Sequence, residues 1–223
     1  MTTRDTMRLN AVLAAVLTLL RIAPIGVQAL GGGGLPAPGS FNDPVRALAT
    51  IGSSPALTIV AGIICATGVV QVFVVLALGE RLSDREPRLA HLSVTFGVVA
   101  ATFLMFDGAL GIAALPQLAR MDVHRDVVDA AYLATLALRN GIDRVIPLTL
   151  GIWALAAHWP VRPTHGLPMV LAVVGLVLGI VGVAGALFPA AGIGAVVLAA
   201  AWSAGFSMVL IRDSSTRAFP SSP

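Results

Sequence analysis

Long apolar runs alternate with short polar segments along the whole chain, and the lengths of the runs predict helices that cross a membrane. A span needs about 20 apolar residues. Stretches of that order run from about Leu9 to Leu30, Pro55 to Gly79, Leu92 to Pro116, Asp129 to His158, Leu167 to Phe188 and Ala191 to Ile211. The predicted fold class is therefore all-α: a polytopic bundle of six transmembrane helices, with residues 1–223 forming a single membrane domain. The first run is closed by the glycines Gly31 to Gly34 and two prolines. In the connection that follows, Asp43 can cap, Pro44 suits a first helical position and Gly52 can terminate, which predicts a short helix over Pro44 to Ile51 lying on the membrane surface.

The fourth run differs from the others. As one helix it would be about 45 Å long at 1.5 Å per residue, against a hydrocarbon core of about 30 Å, so it must tilt or protrude. The fifth and sixth are free of charge and joined by a few residues, which predicts a helical hairpin.

Composition strengthens this reading. With 57% hydrophobic and 11% charged residues, and a mean hydropathy of +0.91, a water-soluble globule would lack the polar surface to cover itself. The net charge of +3 does not point to nucleic acid, because the arginines stand singly between apolar runs. They read instead as topology signals. Arg4, Arg8, Arg81, Arg85, Arg88, Arg162, Arg212 and Arg217 fall on the side of the N-terminus, and Arg46, Arg120 and Arg125 on the other. The positive-inside rule then puts both termini in the cytoplasm. Trp159 and Tyr132, at opposite ends of the fourth span, suit interfacial anchoring or ordinary packing.

All 14 basic residues are arginine, so a Schiff-base lysine and a Walker-type phosphate loop are both excluded. Cys65 has no cysteine to pair with and reads as a small packing residue. A secretory signal is the competing reading of the N-terminus, since Arg4 and Arg8 precede Leu9 to Leu20 and Val27-Gln28-Ala29 resembles a cleavage site. The apolar run continues to Leu30, which favours retention as a span.

Ionisable residues inside spans are costly, about 2.5 to 3.5 kcal/mol each on the lenient insertion scale, and they tend to face protein and pair. Arg21, Asp107, Arg139, Asp143 and Arg144 fall at similar depth, with Asn140 beside them, and are expected to form one cluster. Asn10, Ala14, Arg21 and Gln28 share a stripe of the first span, bordered by Leu17 alone of its leucines, that should face protein. Arg139 and Asp143 are spaced to pair within their helix, leaving Asp107 for Arg21 or Arg144. Three cations against two anions leave an arginine to attract a small anion, a lipid headgroup or a carboxylate ligand. The plainer alternative is a set of staples between helices, with Arg139 snorkelling outward.

Pro24 and Pro147 each follow an intramembrane arginine by three residues, a hint of inverted repeats with broken helices that the other spans do not repeat. Gly175, Gly179, Gly182 and Gly185 form a small-residue face on the fifth span, for packing within the chain or for a homodimer. No HExxH, metal-spaced cysteine and histidine set or GxSxG is present, and Ser207 lacks the second glycine of an elbow. No catalytic residue, metal or cofactor is therefore assigned. His158 and His165 flank an inner loop where a haem or metal would sit, but solvated or interfacial roles suit them better.

The Gly151-Ile152-Trp153-Ala154-Leu155 and Gly166-Leu167-Pro168 stretches, with the span spacing, resemble uncharacterised integral membrane proteins of high-GC bacteria. That resemblance implies a multi-pass protein of the bacterial cytoplasmic membrane and carries no activity. The leading expectation is a bundle around a polar, arginine-rich site opening outward, which binds or moves a small anionic or lipidic ligand. The alternatives are a structural or assembly subunit of a larger membrane complex, and a membrane enzyme or cofactor-bearing protein. The partners expected are the bilayer, an anionic small molecule or headgroup, and a membrane protein or second copy; nucleic acid is not expected.

Overall fold

A computed structural model describes residues 3–30, 42–84, 86–159 and 167–216, and among these helices are joined by short turns and no strand occurs. Gly31 to Gly34, Arg85, Arg162, His165 and Arg217 lie outside the described residues, as does the side chain of Gln28. The helices are α1 (Thr3–Leu30), α2 (Pro44–Ser53), α3 (Pro55–Ser83), α4 (Pro87–Ala109), α5 (Leu115–Leu118), α6 (Arg125–His158), α7 (Met169–Gly185) and α8 (Pro189–Thr216). Among the described residues, four stretches are long and apolar enough to cross a membrane: Asp5–Pro24, Pro55–Ser83, Pro87–Leu118 and Ala191–Ser215. Met169–Gly185 is apolar but shorter.

The long helices close into a ring in chain order. α1 packs on α3, α3 on α4, α4 on α6, α6 on α7, α7 on α8, and α8 returns to α1. Consecutive antiparallel helices with short connections are the simplest way to bury one face of each. The interior is filled by Leu17, Val75, Leu78, Trp153, Leu178, Trp202 and Phe206, all buried. Leu9, Val12, Leu19, Phe73, Val170, Ile180 and Met208 point outward, the inside-out arrangement lipid permits.

Glycine sets the closest approaches. A Cβ on Gly108 would lie 2.6 Å from Cys65 on α3, and one on Gly182 would lie 2.8 Å from the Gly151 Cα and the Pro147 carbonyl on α6. Gly175, Gly179 and Gly182 thus face α6 inside the chain, and this face is not available to a second copy. Gly185 meets Gly192 and Pro147, which puts the α7–α8 turn level with Pro147. α6 therefore runs roughly 33 Å past that turn, to Arg125, at 1.5 Å per residue. The long fourth helix protrudes beyond the α7–α8 hairpin.

α2 is present, capped by the Asp43 side chain, which accepts from the Val45 and Arg46 N–H groups. Two details depart from expectation. The helix continues through Gly52 and stops at Ser54, which is extended because Pro55 follows it. Its apolar face, Ala47, Leu48 and Ile51, is buried in a cluster with Leu115, Val128 and Tyr132, so protein covers it instead of lipid. Tyr132 accordingly packs inside, whereas Trp159 is exposed.

α1 and α6 run unbroken through Pro24 and Pro147, so the broken helices that an inverted-repeat transporter would need are not formed. The irregularity lies elsewhere. A π-helical segment, Leu110–Ala114, separates α4 from α5 and begins three residues after Asp107. Pro116 has no N–H for the carbonyl one turn back and its ring crowds that carbonyl, and a wider turn relieves both problems.

Candidate functional site

The intramembrane polar residues do not gather into one cluster. Arg21 is 7% exposed and sits where α1 meets α3 and α8. Ala11, Ala14 and Leu17, one to three turns away on the same stripe, are buried with it. Its Nη1 donates to the Ala199 carbonyl at 2.6 Å and to Ser203 Oγ at 2.6 Å, and its Nη2 donates to Gln71 Oε1 at 2.9 Å. Ser203 Oγ in turn donates to the same Ala199 carbonyl at 2.7 Å. Every one of these partners is neutral. Gln71 presents its carbonyl oxygen to the guanidinium, which leaves its buried amide Nε2 with no hydrogen-bond partner among the described residues.

Asp107 is buried and takes a two-pronged ion pair from Arg139, Nε to Oδ1 at 2.6 Å and Nη2 to Oδ2 at 3.1 Å. The expected Arg139–Asp143 pair is thus replaced, and Asp107 serves neither Arg21 nor Arg144. Two physical reasons account for this. Asp143 is exposed on α6, whereas the buried Asp107 carboxylate has to find its counter-charge in protein. Asp107 also sits beside Gly108, against Cys65 of α3, six residues and roughly 9 Å along that helix from Gln71 and Arg21. Asp143 remains within electrostatic range of Asp107 and Arg139. Asn140 and Arg144 are exposed on an adjoining face of α6.

Below Arg21, toward the C-terminal end of α8, an aromatic block fills the ring. Trp202 stacks on Phe206 with centroids 5.0 Å apart and meets Trp153 edge-on at 5.2 Å. His158 belongs to this block. Trp202 Nε1 donates to His158 Nε2 at 3.0 Å, and His158 Nδ1 lies 2.8 Å from the Ala154 carbonyl. Indole can only donate, so Nε2 is the acceptor and the proton is on Nδ1. His158 is therefore a neutral, fully satisfied core residue with no nitrogen free for a haem or metal, and not the interfacial histidine that its place beside a polar loop suggested. Gly175 makes room for its ring. No group of three or more metal-ligating side chains occurs among the described residues. Trp153 Nε1 and Ser93 Oγ, both buried, have no hydrogen-bond partner among the described residues.

At the end of the ring near the C-terminus of α8, Arg81 of α3 pairs with Asp213 of α8 at 2.6 Å, its guanidinium 5.9 Å from the centre of the Phe206 ring. Ser207 Oγ donates to the Ala11 carbonyl at 2.9 Å, which makes it a clamp between α8 and α1.

Sequence reasoning singled out Arg21 but not the groups that hold it. Gln71 is the one amide within the otherwise apolar run Val69 to Leu78, and Ser203 and Ser207 are four apart on one face of the last span. Those were the available signals, but neither says which helix lies opposite. No protein-family model, curated protein or solved structure matches this chain.

Proposed function

We propose that this helical membrane protein binds a small anion at Arg21, in the middle of a six-span bundle. One observation carries the reading: a buried guanidinium whose described partners are all neutral, beside an amide nitrogen with no partner among the described residues. In low dielectric an uncompensated cation is costly, and an anion accepting from Arg21 and from Gln71 Nε2 would remove the imbalance. The depth of Arg21 favours chloride or a short carboxylate over a lipid headgroup. The aromatic block closes the ring on one side of Arg21, so the anion enters from the other, where Asp107 and Arg139 stand.

In this reading α6 and α7 also cross the bilayer, both termini are cytoplasmic as arginine placement favours, and the bilayer is that of a bacterial cytoplasmic membrane. α1 is retained, because Ala11, Ala14, Leu17 and Arg21 are part of the bundle interior.

The deciding measurement is thermal unfolding of detergent-purified protein in chloride, acetate or phosphate at matched ionic strength, for the natural chain, Arg21→Gln and Arg144→Gln. A bound anion at a hundred times its Kd stabilises by about 2.7 kcal/mol. Stabilisation by one anion that survives Arg144→Gln and disappears in Arg21→Gln is expected. Equal behaviour of all three proteins in every salt would make Arg21 a staple joining α1, α3 and α8.

A further inference from the structure

Where α4 packs on α6, two buried polar groups are left over once the hydrogen bonds between side chains and backbone are assigned. Trp153 of α6 is 1% exposed and Ser93 of α4 is 0% exposed, and neither Trp153 Nε1 nor Ser93 Oγ has a partner among the described residues. Comparable groups nearby are paired. Trp202, which Trp153 meets edge-on, gives its N–H to His158. Thr67, Thr95, Thr102 and Ser203 each donate to a carbonyl one turn back on their own helix. Ser93 makes no such bond.

Gly97 brings the two groups to the same place. A Cβ there would lie 2.7 Å from Trp153 Cδ1, the ring carbon bonded to Nε1, and 2.6 Å from the side chain of Val75 on α3. The N–H edge of the indole therefore lies against α4, and Ser93 stands about 6 Å away along the same face of that helix, one turn from Gly97. The two groups do not bond each other. Two polar groups shut off from lipid and solvent, too far apart for a direct bond but within reach of one bridge, are the setting in which buried water is held.

Hydrogen-bonding capacity selects the ligand. Indole only donates, so whatever binds must accept from Nε1, and the serine hydroxyl can complete the bridge either as donor or as acceptor. An anion would also accept from both, but here it would lie against Val75 and Gly97, which offer it no counter-charge. The ligand is therefore neutral and small.

We infer that one ordered water bridges Trp153 Nε1 and Ser93 Oγ, a second polar tie between the helices that Asp107 and Arg139 join farther along. The site is independent of any anion at Arg21.

The test is a crystal structure of the full chain, grown from a lipid mesophase with bromide as the halide, at a resolution that shows ordered water. The natural protein should show one density peak about 3 Å from both Trp153 Nε1 and Ser93 Oγ, without an anomalous bromine signal. Ser93→Ala should lose the peak, and Arg21→Gln should keep it. No peak between the two side chains, or a bromine signal there, would overturn the assignment. So would a peak that stays on Trp153 in Ser93→Ala. The natural chain decides alone if Ser93→Ala folds poorly.

Discussion

Asp107 of α4 and Arg139 of α6 form a two-pronged ion pair at 2.6 and 3.1 Å, with the carboxylate buried and the guanidinium partly exposed. Removing one partner strands the other. Arg139→Gln should therefore destabilise the protein by about 3 kcal/mol, more than Asp107→Asn, because a buried carboxylate is harder to solvate than a half-exposed arginine. The double variant should recover part of the loss. Unfolding in mixed micelles, read as a double-mutant cycle, checks the coupling.

The α6–α7 contact is backbone against backbone. Gly182→Ala would push a methyl to 2.8 Å from the Gly151 Cα and the Pro147 carbonyl, neither of which can rotate away. A loss of about 1 to 3 kcal/mol is expected. Gly141→Ala, also on α6, meets nothing within 4 Å and should be neutral or stabilising by up to about 1 kcal/mol, the helix-propensity difference. Thermal melts of the two variants side by side test whether close approach, and not helix propensity, explains the glycines of α7.

Trp202→Phe keeps most of the aromatic block but leaves His158 Nε2 without its donor. A buried acceptor left unpaired costs about 1 to 3 kcal/mol. His158→Leu removes that acceptor and its bond to Ala154 together, so the double variant should be less damaged than the sum of the single changes. Additive losses in chemical unfolding would contradict the hydrogen bond.

Arginine placement predicts which ends face the cytoplasm. In a Cys65→Ala background, Val123→Cys, exposed in the segment before α6, should react with an impermeant maleimide in intact cells. Ser215→Cys, exposed at the end of α8, should react only after permeabilisation. The reverse pattern would invert the topology.

Apolar run length alone determined that the chain is a set of long helices, because lipid leaves backbone groups no partner outside the helix. The cap at Asp43, the protein-facing stripe around Arg21 and the glycine face of α7 were legible for the same reason: each depends on spacing along one helix. Pairing was not legible. Arg139 could reach Asp143 one turn away, and only the packing of α4 against α6 at the level of Cys65 brought Asp107 to it instead. Gln71 and Ser203 became partners of Arg21 because α3 and α8 both flank α1, a relationship between residues 50 and 182 positions apart in the chain. His158 beside a polar loop looked solvated until α7 laid Gly175 over it and α8 supplied Trp202. Spacing along a helix is set by the geometry of one segment, whereas which faces meet depends on the packing of all of them together.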